Sequence, residues 1–142
     1  NELQKRRLVG KLQKHLGSLV GKEVALLGIA FKPNTDDVRE ATSLVLAGRL
    51  QSEGAAVRAY DPVARERARS LLANARLCDS ALEALEGADA AVLVTEWQEF
   101  RELDWQGTVK RVMRRPIIVD GRNFLDRDAL RAAGFVYEGV GR

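Results

Sequence analysis

Residues 24–33, VALLGIAFKP, decide the fold class of this chain. The segment begins with a short, nearly continuous apolar run, which predicts a strand buried on both faces. A loop rich in Gly, Pro and Asn follows the run, and after it a helix is predicted from the apolar positions between 44 and 50. Asp37, three residues before Glu40, is expected to cap that helix. A strand, a loop and a helix in this order form the first part of a βαβ unit.

The same alternation recurs through the rest of the chain. Apolar or alternating segments predict further strands, and periodic segments between them predict helices. The predicted strands are 56–60, a short one near 76–78, 90–94, 116–119 and 135–137, and the other predicted helices are 2–16, 63–74, 80–86, 105–114 and 126–133. Because crossovers between parallel strands are right-handed, we expect an α/β fold, a Rossmann-like doubly wound and mainly parallel sheet with helices on both faces.

The composition of the chain narrows the classes of function. Its 142 residues, 46% hydrophobic and 30% charged, are typical of one compact globular domain. A single cysteine, Cys78, and a single histidine, His15, exclude a disulfide within the chain and argue against a metal site. No apolar run approaches the ~20 residues of a membrane span. With no signal-peptide pattern either, a cytoplasmic protein without membrane contact is expected.

The first residues differ from the rest of the chain. The chain begins with Asn1 and its only methionine is Met113, which predicts a piece of a longer protein. Residues 1–17 carry a net charge of +4, whereas the remaining residues carry −1. Leucines at 8, 12, 16 and 19 form one stripe on the predicted helix, so this helix needs a protein surface. It has no aromatic residues, and nucleic acid is therefore not the expected partner.

The loops after the strands are the expected ligand sites, because an open parallel sheet binds ligands at the carboxyl ends of its strands. A dinucleotide site needs G-x-G-x-x-G in the first loop, and residues 28–33, GIAFKP, keep only the first glycine. A phosphate there would be held by side-chain charge, from Lys32 and Arg39. Arg122 follows another buried strand and suits bidentate phosphate contacts.

Each candidate also has a purely structural interpretation. Lys32 fits a solvated loop equally well, and Arg39 lies in a first helical turn, where a cation opposes the helix dipole. Asp61 is predicted as a turn residue before Pro62. Trp97 is expected to pack in the core, as is Cys78, which has no paired base to make it a nucleophile.

Several motifs resemble one family. The block 28–40, GIAFKPNTDDVRE, resembles the signature of the C-terminal domain of the UDP-glucose/GDP-mannose dehydrogenase family. Residues 1–5, NELQK, resemble an element on that family's central helix. The other motifs follow in the family's order: Tyr60-Asp61-Pro62, Thr95-Glu96-Trp97, Asp120-Gly121-Arg122-Asn123 and Gly139-Val140-Gly141-Arg142. Within the family the detail is most similar to bacterial members that oxidise UDP-glucose.

The resemblance implies the UDP-sugar-binding half of a larger enzyme. It implies that residues 1–20 end a connecting, dimerising helix and that 21–142 form the binding domain. Phe31 and Lys32 would contact the UDP-sugar, with Lys32 near the reacting sugar, and Arg122 would contact the UDP portion. Arg39 would reach the phosphates of NAD, which the family binds mainly through a separate N-terminal domain.

The resemblance also implies what this chain lacks. The family oxidises the sugar alcohol in two NAD-dependent steps through a cysteine thioester, and Cys78 does not match the motif of that cysteine. The chain alone is therefore expected to be inactive, and the parent to be a homodimer. The alternative is a structural, dimerising module of a related UDP-N-acetylhexosamine or GDP-mannose dehydrogenase without ligand affinity of its own.

Overall fold

A computed structural model describes residues 2–30, 32–34, 36, 42–72 and 74–140. Its six strands form one sheet in the order β3-β2-β1-β4-β5-β6, and every neighbouring pair is parallel. The strands are β1 (Glu23–Leu27), β2 (Ala56–Tyr60), β3 (Arg76–Leu77), β4 (Ala90–Leu93), β5 (Ile117–Asp120) and β6 (Val136–Gly139). This order is the doubly wound Rossmann arrangement, so the predicted fold class is confirmed.

Helices and short turns connect the strands. The helices are α1 (Glu2–Leu16), α2 (Thr42–Ser52), α3 (Arg65–Ala68), α4 (Ala81–Leu85), α5 (Gln98–Arg101), α6 (Lys110–Val112) and α7 (Arg127–Ala132), with a π-helical turn at Trp105–Val109. Among the described helices none is long and apolar enough to cross a bilayer.

The apolar core lies in two layers, one on each face of the sheet. One layer centres on Leu12, Leu26 and Leu46, and the other on Phe100 and Leu85. The inner strands β4 and β5 are buried at every position and β1 at every position after Glu23, whereas β2 and β6 alternate between buried and more exposed positions. The continuous apolar runs of the sequence therefore mark the centre of the sheet, because only central strands are covered on both faces.

The leucine stripe of α1 lies in the core of the sheet itself. Leu8, Leu12, Leu16 and Leu19 are all at most 7% exposed and share a core layer with β1 and β5. The protein surface that the stripe requires is thus supplied by the same chain. Helix α1 and the sheet share one apolar core, and the division of the chain at residue 20 stays a prediction.

Two helices differ from their predicted lengths. Among the described residues of the segment 63–74, only those of α3 are helical, and beyond them the amides of Leu71 and Leu72 both donate to the carbonyl of Ala68 in a turn. The segment 105–114 begins as a π-helical turn because Asp104 accepts hydrogen bonds from the amides of Gly107 and Thr108. Isolated helices of this length are marginal, so tertiary contacts decide their form. Helix α5 was not predicted.

Candidate functional site

The candidate site lies at the carboxyl edge of the sheet, where the strand order reverses between β1 and β4. From this point the chain runs outward to β2 and β3 on one side and to β5 and β6 on the other. Such a switch point leaves a crevice between the loops that follow the two central strands. The loops after β1, β4 and β5 carry Lys32, Glu96 and Arg122, respectively.

The loop after β1 passes very close to the loop after β4. Gly28 has a φ of +102°, and a Cβ built on it would lie 2.6 Å from the Cβ of Thr95. Only glycine fits this backbone conformation and this space. The Thr95 hydroxyl donates to the carbonyl of Ala30 at 2.7 Å, and the Ser43 hydroxyl donates to that of Ile29 at 2.6 Å. The first loop is therefore held from both sides just before Lys32.

Asp61, at the end of β2, holds the first loop most firmly. Its Oδ2 accepts from the backbone amides of Ile29 at 2.8 Å and Ala30 at 2.9 Å, and from Nε1 of Trp97 at 3.1 Å. Its Oδ1 accepts from the amides of Val63 and Ala64 at 2.9 and 2.8 Å. The side chain is 2% exposed. The predicted turn role of Asp61 is confirmed, but the same carboxylate also joins three loops of the site.

This use of Asp61 separates the domain from a classical dinucleotide site. In such sites the acidic residue at the end of the second strand binds a ribose hydroxyl, and a glycine-rich first loop binds the pyrophosphate. Here the carboxylate is buried and already has five protein donors. The residues present do not fit NAD in that mode, in agreement with the two missing glycines of the first loop.

The loop after β5 is built around a second buried aspartate. Oδ2 of Asp120 accepts from the amides of Phe124 and Leu125 and from the hydroxyl of Tyr137, each at 2.8 Å. Its Oδ1 accepts from the amide of Arg122 at 3.0 Å. Asn123, with a φ of +53°, exchanges two hydrogen bonds with the backbone of residue 140. Asp120 and Asn123 thus shape the loop, and the Arg122 side chain extends from it.

The predicted site residues have different outcomes. Lys32 is exposed on the loop after β1, and Arg122 is 45% exposed on the loop after β5. Both lie at the same edge of the sheet, but β4 separates their strands. Arg122 is already paired with Glu96 through two hydrogen bonds, of 2.6 and 3.1 Å. Phe31 and Arg39 lie outside the described residues, as does the predicted capping residue Asp37.

Apart from the turn at Asp61, the sequence did not reveal the roles of the carboxylates around the site. Asp61 follows β2 directly and Asp120 is the last residue of β5, and a position at the end of a strand was the signal that could have found their contacts. Glu99 was also missed, and it accepts from the Tyr60 hydroxyl at 2.7 Å. Burial, together with this hydrogen bond, raises the pKa of Tyr60, so the phenol stays protonated and acts as a donor.

Two expectations about other chemistry can be compared with the structure. Cys78 is fully buried, and burial raises the pKa of its thiol, so it is the predicted core residue. Within the described ranges, no group of three His, Cys, Asp or Glu side chains could hold a metal ion. A cleft of about 590 Å³ is bordered by α5 and α7 and is lined by Phe124, Leu125 and Asp126 of the loop after β5, but Lys32, Glu96 and Arg122 do not line it.

A family model and two related sequences point to the same group of proteins. The model of the UDP-glucose/GDP-mannose dehydrogenase family, UDP binding domain, matches residues 25–127. UDP-glucose 6-dehydrogenase of Pseudomonas aeruginosa is 50% identical over 132 residues, which are 89% of this chain and 29% of that protein. UDP-glucose 6-dehydrogenase TuaD of Bacillus subtilis is 39% identical over 143 residues, which cover 100% of this chain and 31% of the relative.

Solved structures agree with these relatives. A UDP-glucose dehydrogenase from Pyrobaculum islandicum superposes with a TM-score of 0.83 at 36% identity, covering 99% of this chain and 30% of that one. A UDP-D-ManNAc dehydrogenase from Pyrococcus horikoshii gives a TM-score of 0.77 at 29% identity, covering 97% of this chain and 30% of that one. The chain thus spans about 30% of the length of the relatives it matches.

Proposed function

The chain belongs to the UDP-glucose/GDP-mannose dehydrogenase family, whose UDP binding domain it matches, and on this premise we propose that it binds the UDP portion of a nucleotide sugar. It does so as the C-terminal domain of an NAD-dependent UDP-glucose 6-dehydrogenase. The ligand lies across the carboxyl edge of the sheet, between the loops after β1 and β5.

One observation carries this proposal: the first loop is held rigidly by Asp61, Thr95 and Ser43 at the switch point, and the exposed Lys32 follows it directly. A loop fixed before binding loses little conformational entropy when a ligand arrives. Arg122 supplies a second cation at the same edge, from a loop that Asp120 fixes. Two cations on preorganised loops suit a diphosphate.

Two family residues complete the proposed site, although both lie outside the described residues. Phe31, beside Lys32, contacts the UDP-sugar, and Arg39 reaches the NAD phosphates from across the cleft between the two domains of the parent. NAD, when bound, accepts hydride from the sugar alcohol. This chain does not fit it in the classical mode, and the cofactor is therefore held mainly by the N-terminal domain of the parent.

The parent enzyme, on this proposal, oxidises UDP-glucose to UDP-glucuronate in two hydride transfers through a cysteine thioester, and works as a homodimer. The relatives at 39–50% identity are UDP-glucose 6-dehydrogenases, which supports the substrate class. The contribution of this chain is to bind and orient the diphosphate, with Lys32 also supporting the reaction near the sugar. The isolated chain turns over no substrate.

The alternative is a structural, dimerising module of a related nucleotide-sugar dehydrogenase without ligand affinity of its own. One observation favours it: Glu96 neutralises the charge of Arg122 through an ion pair of 2.6 Å. On this alternative the pairing serves only to join two loops, and Lys32 is a solvated side chain.

Isothermal titration of the chain with UDP and UDP-glucose distinguishes the two proposals. We expect weak binding of both, a loss of at least tenfold for Lys32→Ala and for Arg122→Ala, and no loss for Arg127→Ala. Arg127 is the matched control, since it is an exposed arginine that pairs with Asp128 in α7. Equal, measurable affinity of all four proteins contradicts the site proposed at Lys32 and Arg122, whereas no heat at millimolar ligand contradicts UDP binding by this domain and supports the structural alternative.

A further inference from the structure

We propose that Glu96 is a positioning residue for the UDP site: it holds the Arg122 guanidinium so that one edge of it stays open to the diphosphate. The inference rests on the proposed function, because it assigns Arg122 a phosphate to bind. The charge of Glu96 alone would repel an anionic ligand. A purely electrostatic role and a positioning role therefore predict opposite changes in UDP affinity when Glu96 is removed.

The geometry of the pair leaves a defined part of the guanidinium free. Nε of Arg122 donates to Oε2 of Glu96 at 2.6 Å, and Nη2 donates to Oε1 at 3.1 Å. A guanidinium has five N–H groups, of which these two bonds use two. The remaining three lie on Nη1 and on the outer side of Nη2. The Arg122 side chain is 45% exposed, so part of it remains accessible from solvent beside the pair.

Both ends of the pair are anchored. Arg122 lies two residues after Asp120, whose Oδ1 accepts its backbone amide at 3.0 Å. Glu96 lies between Thr95, which bonds to the first loop, and Trp97, which is 8% exposed and donates to Asp61. The carboxylate thus extends from a fixed stretch of backbone. A bidentate pair between two fixed loops restricts the long Arg122 side chain before any ligand is present.

The pair also connects the two parts of the site. Glu96 follows β4 and Arg122 follows β5, and these strands are neighbours in the sheet. The Thr95 hydroxyl bonds the loop after β4 to Ala30 in the loop after β1, two residues before Lys32. Arg122 is thereby connected, through Glu96 and Thr95, to the loop that carries Lys32. This connection favours a diphosphate that must contact both cations at once.

The sign of the effect on affinity tests the role. A carboxylate near a diphosphate repels it, so removing the charge should tighten binding if Glu96 acts only through its charge. If Glu96 positions Arg122, removing it frees a side chain that must then be ordered by the ligand. Ordering one such side chain corresponds to a loss of about 2- to 12-fold in affinity.

The experiment measures the Kd of UDP at constant ionic strength for the chain and for Glu96→Ala, Glu96→Gln and Glu102→Gln. We expect Glu96→Ala to bind about tenfold more weakly, and Glu96→Gln, which retains one acceptor, to fall between it and the unchanged chain. Glu102→Gln is the matched control, because it removes an equal charge from an exposed position near α5. Melting temperatures show whether each variant is folded. If Glu96→Ala does not fold, the isosteric Glu96→Gln carries the test.

A double-mutant cycle with Arg122→Ala provides the readout that a merely structural role would not change. Once Arg122 is absent, removing Glu96 should cost no further affinity, and relief of repulsion should even improve it. If both Glu96 variants bind UDP as tightly as the unchanged chain or more tightly, while Arg122→Ala still binds more weakly, the positioning role is overturned and the UDP site at Arg122 is not. If the unchanged chain does not bind UDP, the proposed function falls and this inference with it.

Discussion

Replacing Asp61 by asparagine tests whether one buried carboxylate holds the site together. The two side chains have nearly the same shape, so Asp61→Asn creates neither a cavity nor a steric clash. The amide, however, has one acceptor oxygen in place of two. The five donors around Asp61 divide between its two oxygens: Oδ2 faces the first loop and Trp97, and Oδ1 faces the two amides of residues 63 and 64.

The magnitude follows from the donors that asparagine leaves unpaired. In its better orientation the amide oxygen faces the three donors on the Oδ2 side, and Nδ2 then meets the amides of Val63 and Ala64. The amide of Ala64 is buried, and a buried N–H without an acceptor costs about 1–3 kcal/mol. The amide of Val63 is only partly buried and costs less. We therefore expect Asp61→Asn to lower the free energy of unfolding by about 1–4 kcal/mol, measured by urea denaturation at pH 7.

Asp126→Asn is the control with the same chemical change. Asp126 is exposed and caps α7 by accepting the amide of Ala129 at 3.1 Å. Asparagine caps helices as well as aspartate does, so the free energy of unfolding should change by less than about 0.5 kcal/mol. A loss below about 1 kcal/mol for Asp61→Asn would contradict this prediction, because the buried amide of Ala64 without an acceptor cannot cost so little.

Three further substitutions or measurements address other features. Gly28→Ala should lower the free energy of unfolding by about 3 kcal/mol or more, because Gly28 has a positive φ and an added Cβ would lie 2.6 Å from Thr95. Gly48 lies in open space on α2, so Gly48→Ala should raise the free energy of unfolding by about 0.5–1 kcal/mol. Equal effects of the two substitutions in urea titrations would contradict this. The hydrogen bond from Lys14 lowers the pKa of Glu138 from 4.5 to about 2, so its stabilisation is present above pH 4.5 and is lost as the pH falls towards 2. The urea midpoint of Glu138→Gln should accordingly lie below that of the unchanged chain at pH 7, and the gap should narrow below pH 4.5; a constant gap would contradict the linkage. The buried Cys78 thiol should react with Ellman's reagent only in denaturant, and rapid labelling of the folded chain would show that its burial is wrong.

The sequence predicted the strands better than the helices. The continuous apolar runs at β1, β4 and β5 were found because strands that are buried on both faces are mostly apolar. The helix Glu2–Leu16 matched its prediction residue for residue, since its leucine stripe is long enough to show a clear period. The helix at 63–74 was predicted too long, because the four residues of α3 carry too few periods to set an end. The segment 105–114 was predicted as one helix, whereas a π-helical turn and α6 together cover 105–112.

The sequence predicted where the site lies but not which residues contact each other within it. The edge of the sheet and its exposed cations could be located, because position after a strand is a local property of the sequence. The partners of those cations could not. That Glu96 bonds to Arg122, 26 residues further along the chain, depends on β4 and β5 being neighbours in the sheet.

By itself the sequence determined the fold class, the family and the absence of a glycine-rich dinucleotide loop, because each of these is recorded in the order and spacing of residues along the chain. Only the tertiary structure decided that Asp61 joins three loops, that the stripe of α1 packs in the core of its own sheet, and that Glu96 restrains Arg122. The contacts of Asp61 with Ile29 and Trp97 and of Glu96 with Arg122 join residues 26 to 36 positions apart. They form only when the parallel sheet brings the ends of its strands to one edge.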